Sequence, residues 1–75
     1  MEKSPLLKLL GKHIKKLREH KGWSQADLAR AAFKDPQSIE RIENGKVNPS
    51  VYYLIEIAKA LNTHPKNLLN FEIQK

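Results

Sequence analysis

Residues 24–45 read SQADLARAAFKDPQSIERIENG, from Ser24 to Gly45, and their punctuation decides the fold. Ser24 precedes Asp27 by three positions, the spacing at which a serine hydroxyl accepts from the backbone N–H inside the first turn of a helix. A helix is therefore expected to open at Ser24 and run through Leu28 to Ala32. Asp35-Pro36 is a second start: an N-cap, then a ring whose φ is already helical and whose missing N–H would be unpaired there anyway. Asn44-Gly45 is a stop, because glycine accepts the left-handed conformation that follows a last turn. Only Phe33 to Asp35 separate the two helices, the length of the tight turn in a helix-turn-helix unit.

The second of these helices is two-sided. At about 100° per residue, turning Ile39 and Ile42 inward sends Gln37, Arg41 and Asn44 outward, with Glu40 on their flank and Glu43 beside the core. The outward stripe is amide, guanidinium and amide, without a lysine, whereas a merely solvated face is more often rich in glutamate and lysine. Glutamine pairs with adenine and arginine with guanine by two hydrogen bonds each, in a major groove that admits a helix.

Three further helices follow from the same kinds of signal. Ser4 and Pro5 open the first, with Leu7, Leu10, Ile14 and Leu17 on one stripe, Lys8, Lys12, Lys15 and Lys16 on the other faces, and an end near Lys21-Gly22. Trp23 is expected to pack just before the next cap. Asn48-Pro49-Ser50 introduces a fourth helix that turns Val51, Leu54, Ile57, Ala58 and Leu61 inward. A short fifth is capped by Thr63, started by Pro65, and apolar through Leu68, Leu69 and Phe71. No run alternates as a half-buried strand does, so the chain reads as all-α.

At 75 residues the chain is sized for one domain, expected over 6–71, with an N-terminal extension at 1–5 and a tail at 72–75. A domain this small buries only about 60% of its unfolded surface, so a partner subunit would help it. It has no cysteine, which excludes disulfides and thiolate metal sites. The opening MEKSPLLKLLGKH has no apolar run suited to a signal peptide or membrane span. A soluble, cytoplasmic protein without membrane contact is expected.

The net charge is +6, and it is uneven: residues 1–21 carry seven basic and two acidic groups, residues 22–50 four of each. A polyanion is the partner such a balance favours, nucleic acid being the commonest. His13, His20 and His64 have neither ligand spacing nor acidic companions, so no metal or other cofactor is expected. Nothing resembles a catalytic constellation, and no enzyme is expected.

The stretch SQADLARAAFKDPQSIERIENGKVNPS, with LGKHIKKLREHKG before it and LIEIAKALN after it, resembles the Xre-type helix-turn-helix of phage repressors, Cro proteins and small bacterial regulators. The most specific pieces are Ser24-Gln25, Leu28-Ala29, Ile39, Arg41-Ile42-Glu43-Asn44-Gly45 and Asn48-Pro49-Ser50. The resemblance spans roughly residues 9–70. It implies a compact five-helix, lambda-repressor-like DNA-binding domain whose third helix lies in the major groove of double-stranded DNA. By similarity Gln37 and Arg41 touch base edges, with Ser38 beside them. Ser24, Gln25, Asn44, Lys46 and Ser50 bind backbone phosphates, and Gln25 also braces Gln37. Arg18 pairs with Glu43 as a structural ion pair.

The sequence departs from the family pattern at two places. The turn reads Ala32-Phe33-Lys34 where a glycine is usual. A left-handed Phe33 costs about 1–2 kcal/mol, so Phe33 is expected instead to plug the space between helices two and three. Pro36 offers no donor where relatives have a polar reader, which narrows the contact set.

Tyr52, Ile55 and Lys59 point away from the inward stripe of helix four. With Leu69, Phe71 and Ile73, Tyr52 and Ile55 are expected to form a homodimer patch. A two-fold dimer matches inverted half-sites roughly 34 Å apart. A transcriptional repressor or autoregulator is the leading expectation. The alternative is a protein-interaction module, such as the antitoxin of a toxin–antitoxin pair, binding a protein through its exposed apolar surface.

Overall fold

The computed structural model describes residues 5–72; Ser4, expected as a cap, and Ile73, expected in the dimer patch, lie outside them. Four α-helices follow in order: α1 Pro5–His20, α2 Gln25–Ala32, α3 Pro36–Glu43 and α4 Val51–Ala60. A 3-10 helix at Pro65–Leu68 completes the described residues, among which there is no strand.

The starts are chemical. Ser24 Oγ accepts from the Asp27 N–H at 3.1 Å while the Asp27 carboxylate accepts from the Ser24 N–H at 2.9 Å. This reciprocal box satisfies two donors that a helix start leaves orphaned, and losing such a serine cap typically costs about 1 kcal/mol. Asp35 caps α3 through the Gln37 N–H at 3.1 Å, and Ser50 caps α4 through the Tyr53 N–H at 3.0 Å.

The stops share one geometry. After each of the four α-helices a residue with positive φ turns the chain: Gly22, Phe33, Gly45 and Asn62. At every one, the N–H of that residue bonds back three positions and the next N–H bonds back five, the Schellman arrangement that satisfies the last carbonyls. Glycine and asparagine suit the position; phenylalanine does not. Phe33 nevertheless adopts φ 57°, ψ 44° and is 94% exposed. The expected plug is therefore wrong: a left-handed residue at this stop aims its side chain into solvent, and Ala32, Leu28 and Ile39 fill the interior instead.

The core gathers Leu10 and Ile14 of α1, Leu28, Ala29 and Ala32 of α2, Ile39 and Ile42 of α3, Ile57 and Ala58 of α4, with Leu61 and Leu68. Each fully buried Leu or Ile contributes about 1.5–3 kcal/mol relative to exposure. Leu17, Trp23, Val47, Tyr53, Leu54 and Phe71 pack around its edge. Val51 departs from the expected inward stripe at 73% exposed; it opens α4, one turn before Leu54 reaches the core.

The five-helix expectation also needs correction. The last element is a single 3-10 turn of four residues, held by i→i+3 bonds from Asn67 N–H to His64 O and Leu69 N–H to Lys66 O. His64, not Thr63, caps it: its Nδ1 accepts from the Lys66 N–H at 3.1 Å, while Thr63 Oγ1 accepts from the Asn67 amide at 2.8 Å.

Candidate nucleic-acid interface

Between α1, α2 and α3 lies the device that fixes the outward helix. Arg18 and Glu43 are each 6% exposed. Arg18 Nε donates to Glu43 Oε2 at 2.6 Å and its Nη2 to Oε1 at 2.9 Å, a two-pronged match that sets orientation as well as distance. The third prong, Nη1, donates to the Trp23 carbonyl at 2.6 Å. Gln25 adds an amide hydrogen bond to Glu43 Oε1 at 3.0 Å. The hydrogen bond with Glu43 holds the Arg18 pKa above its usual value despite burial. Glu43 thus ties the last turn of α3 to both other helices. Gln25 braces Glu43, not Gln37 as expected, because its half-buried side chain faces the ion pair.

On the opposite side of α3, Gln37 and Arg41 are exposed one turn apart. Among the described residues neither side chain has a hydrogen bond, ion pair or ring contact. Ser38 differs. Its Oγ donates to the Asp35 carbonyl at 2.8 Å and lies 2.7 Å from the Tyr53 hydroxyl. One hydroxyl proton cannot serve both, so Tyr53 donates to Ser38. Half-buried Ser38 therefore pins the start of α3 to α4, with its one proton spent and one lone pair left to accept. Lys34 reinforces the same junction, paired with Glu56 and with its ammonium 4.6 Å from the centre of the Tyr53 ring. That pairing raises the Lys34 pKa.

The expected phosphate contacts surround this stripe in different states. Ser24 and Ser50 cap by accepting, so each keeps its own O–H free to donate. Ser50 also stands at the N-terminus of α4, where free N–H groups and the positive dipole end favour an anion. Exposed Asn44 and Lys46 are drawn to Glu40: Asn44 Nδ2 donates to its carboxylate at 2.6 Å and to its carbonyl at 3.0 Å, and Lys46 Nζ donates to the carboxylate at 3.1 Å. The Lys46 hydrogen bond leads the causes that lower the Glu40 pKa.

The expected dimer residues differ in exposure. Tyr52, 70% exposed, and Ile55 line a shallow groove with Phe33, Ala31, Lys59 and Ala60. Leu69 is exposed, whereas Phe71 is half-buried with its ring 5.8 Å from that of His13. Phe71 is therefore an edge of the core more than an open contact. His13 Nε2 donates to the Asn67 carbonyl at 2.7 Å, His64 caps, and no group of three or more metal-ligating side chains forms among the described residues. No helix there is long and apolar enough to cross a membrane.

Sequence reasoning missed the Tyr53–Ser38 link, the Glu40 clamp and the exposed Phe33. Only Glu40 left a signal, standing four residues before Asn44 on the same side of the helix.

Comparison with known proteins agrees with this geometry. The family described as Helix-turn-helix matches residues 14–68. An uncharacterized HTH-type transcriptional regulator of Sinorhizobium fredii (strain NBRC 101917 / NGR234) is 40% identical over 55 residues, which span 72% of this chain and 70% of the relative. Among solved structures, the restriction-modification controller protein C.AhdI from Aeromonas hydrophila superposes with a TM-score of 0.81 at 32% identity, covering 83% of this chain and 94% of that one. A hypothetical transcription factor, NHTF, from Neisseria gives a TM-score of 0.82 at 28% identity, covering 92% of this chain and 83% of that one.

Proposed function

The chain belongs to the helix-turn-helix family of DNA-binding transcription regulators, and from that premise we propose that it reads a specific double-stranded DNA sequence by laying α3 in the major groove. The observation that carries this reading is the contrast between the two sides of α3. One side is fixed by the buried Arg18–Glu43 pair and Gln25. The other offers Gln37 and Arg41, whose side chains have no hydrogen-bond or ion-pair partner among the described residues. A reader must be rigid behind and unsatisfied in front, because a side chain already paired within the protein loses that bond when it turns to a base. Arg41 suits guanine and Gln37 adenine. Ser24, Asn44, Lys46 and Ser50 would hold phosphates that set the register, and Gln25 would add its backbone N–H at the start of α2. Ser38 acts through its link to Tyr53, keeping the start of α3 in place.

In this reading the protein works in the cytoplasm as a homodimer, joined through Tyr52, Ile55 and Leu69, on inverted half-sites roughly 34 Å apart. It represses by occupying its operator, its own promoter included. Binding-site selection from random duplexes tests this. The selected site should be a palindrome, and Arg41→Ala should cost about 1–3 kcal/mol and relax one base position in each half. Lys46→Ala should weaken all sequences alike and flatten the salt dependence by about 0.9 in slope. Equal losses on selected and random DNA for both variants would sink the groove-reading assignment.

A second reading rests on Phe33. A fully solvated aromatic beside Tyr52 and Ile55 suits a protein partner such as a toxin. Co-purification of a stoichiometric small partner that Phe33→Ser abolishes would favour it.

A further inference from the structure

The charge excess of the N-terminal segment finds a place in the fold. Lys8, Lys12 and Lys15 recur at helical spacing on α1 and line one open groove of about 710 Å³. The facing wall is Glu43 and Asn44, the C-terminal end of α3, with Pro5, Leu9 and Glu72 completing the lining. Two glycines bring α1 this close. A β-carbon on Gly11 would lie 2.2 Å from the Ile42 carbonyl oxygen, and one on Gly45 would lie 2.8 Å from the Lys8 Cα. All three lysines are exposed, and among the described residues none is in an ion pair. Of the two carboxylates that line the groove among the described residues, Glu43 is already neutralised by Arg18. Glu72 is left to oppose three ammonium groups.

We propose that this lysine groove is a second phosphate-binding surface, which grips the duplex backbone flanking the bases read by α3. The inference rests on the reading of α3 as the groove-reading helix and extends its footprint. The argument is continuity and charge. The groove begins at Asn44, where the expected phosphate contacts of α3 end, and runs on along α1 as a row of exposed cations. Ammonium groups that outnumber the carboxylates around them repel one another and hold condensed anions; a phosphate row relieves the repulsion and releases its own counterions. Lysine suits this task because it meets phosphate as a point charge and distinguishes no base. The groove therefore adds affinity and salt dependence, and leaves sequence preference to Gln37 and Arg41.

The test uses the full chain and the duplex recovered by site selection, once with bare half-sites and once extended by several base pairs on each side. Changing Lys8, Lys12 and Lys15 together to Gln should flatten the log K against log salt slope by roughly 2–3 on the extended duplex, at about 0.9 per lost phosphate contact. It should leave the ratio of selected to random affinity within about twofold and the helical circular dichroism intact. Glu72→Gln should move the slope the other way, and Lys66→Gln, outside the groove, should change the extended and bare duplexes equally. The proposal is overturned if the triple variant keeps the parental slope, if its loss is the same on bare half-sites, or if it loses sequence preference. Failure of the underlying reading looks different: the parental protein itself would then show no preference for any duplex.

Discussion

Gly11 of α1 rests against the backbone of Ile42 in α3, so closely that a β-carbon would sit 2.2 Å from the Ile42 carbonyl oxygen and 2.6 Å from that of Glu43. Helix α3 ends where α1 has no side chain. This contact lets Arg18, two turns further along α1, reach Glu43 with both nitrogens.

Gly11→Ala should therefore destabilise, although alanine is the better helix former by about 0.8–1.0 kcal/mol. The groups in the way are main-chain carbonyls, which cannot swing aside, and overpacking of this kind costs about 1–3 kcal/mol. With two carbonyl oxygens in the way the cost falls in the upper part of that range, and a net loss of roughly 1–2 kcal/mol is expected, read as a lower urea midpoint at unchanged m-value. A neutral or stabilised variant would show that α1 and α3 can slide apart freely.

Breaking the buried pair from one side should be worse than removing it whole. Glu43→Ala leaves the Arg18 guanidinium buried and unpaired, which typically costs about 3–5 kcal/mol. Arg18→Met combined with Glu43→Leu should recover part of that loss, leaving Gln25 and the Trp23 carbonyl to find water. A double-mutant cycle by denaturant unfolding measures the coupling; strictly additive losses would mean that the pair does not act as a unit.

Much of this arrangement was legible in the sequence because it is written locally. Ser24, Pro36, Gly45 and Ser50 mark helix ends by chemistry confined to a few residues, and Ile39 with Ile42 fixes which way α3 turns. The features that escaped depend on tertiary placement. An aromatic in a turn reads as buried, yet the Schellman stop after α2 turned Phe33 outward. Gly11 inside a helical pattern reads as neutral until the helix crossing it permits is known. Thr63 and His64 are adjacent and both suit a cap, so the choice fell to side-chain contacts with Asn67 and Lys66. Gln25 reads as a surface amide until Glu43 is brought beneath it.

The left-handed Phe33 makes its own forecast. Phe33→Gly removes about 1–2 kcal/mol of backbone strain and forfeits little burial, while glycine's freedom in the unfolded chain takes back about 0.5–1 kcal/mol. A gain of up to about 1 kcal/mol is expected, seen as a higher melting temperature. If the exposed ring serves a partner or a second copy, the same variant should be more stable and associate less. A less stable Phe33→Gly would mean that the ring contributes packing the fold needs.

Acid should loosen the start of α2 in a defined direction. Backbone and side-chain hydrogen bonds from Ser24, then the Arg30 guanidinium, lower the Asp27 pKa below its ordinary 3.8. A carboxyl whose folded pKa is depressed adds stability that is complete above its unfolded value and disappears as pH falls through the folded one. Stability should therefore decline below about pH 4, and Asp27→Asn should remove part of that decline. Parallel pH profiles for the two proteins would dismiss the box as a contributor.

Glu40 sets the last expectation, since it is a carboxylate beside the stripe proposed to face DNA. It holds Lys46 at 3.1 Å and Asn44 at 2.6 Å, so it occupies two expected phosphate contacts and adds a charge that phosphate repels. Glu40→Gln removes that charge and releases the Lys46 ammonium. Affinity should rise on selected and random duplexes by the same factor, with a salt slope steeper by up to about 0.9 as one more phosphate is neutralised. Because the Lys46 hydrogen bond depresses the Glu40 pKa, the carboxylate stays charged at neutral pH and the parental protein cannot mimic the variant there. The contrary outcome is informative in its own right. A carboxylate can accept from the cytosine amino group, so weaker binding confined to one base position would move Glu40 from clamp to reader.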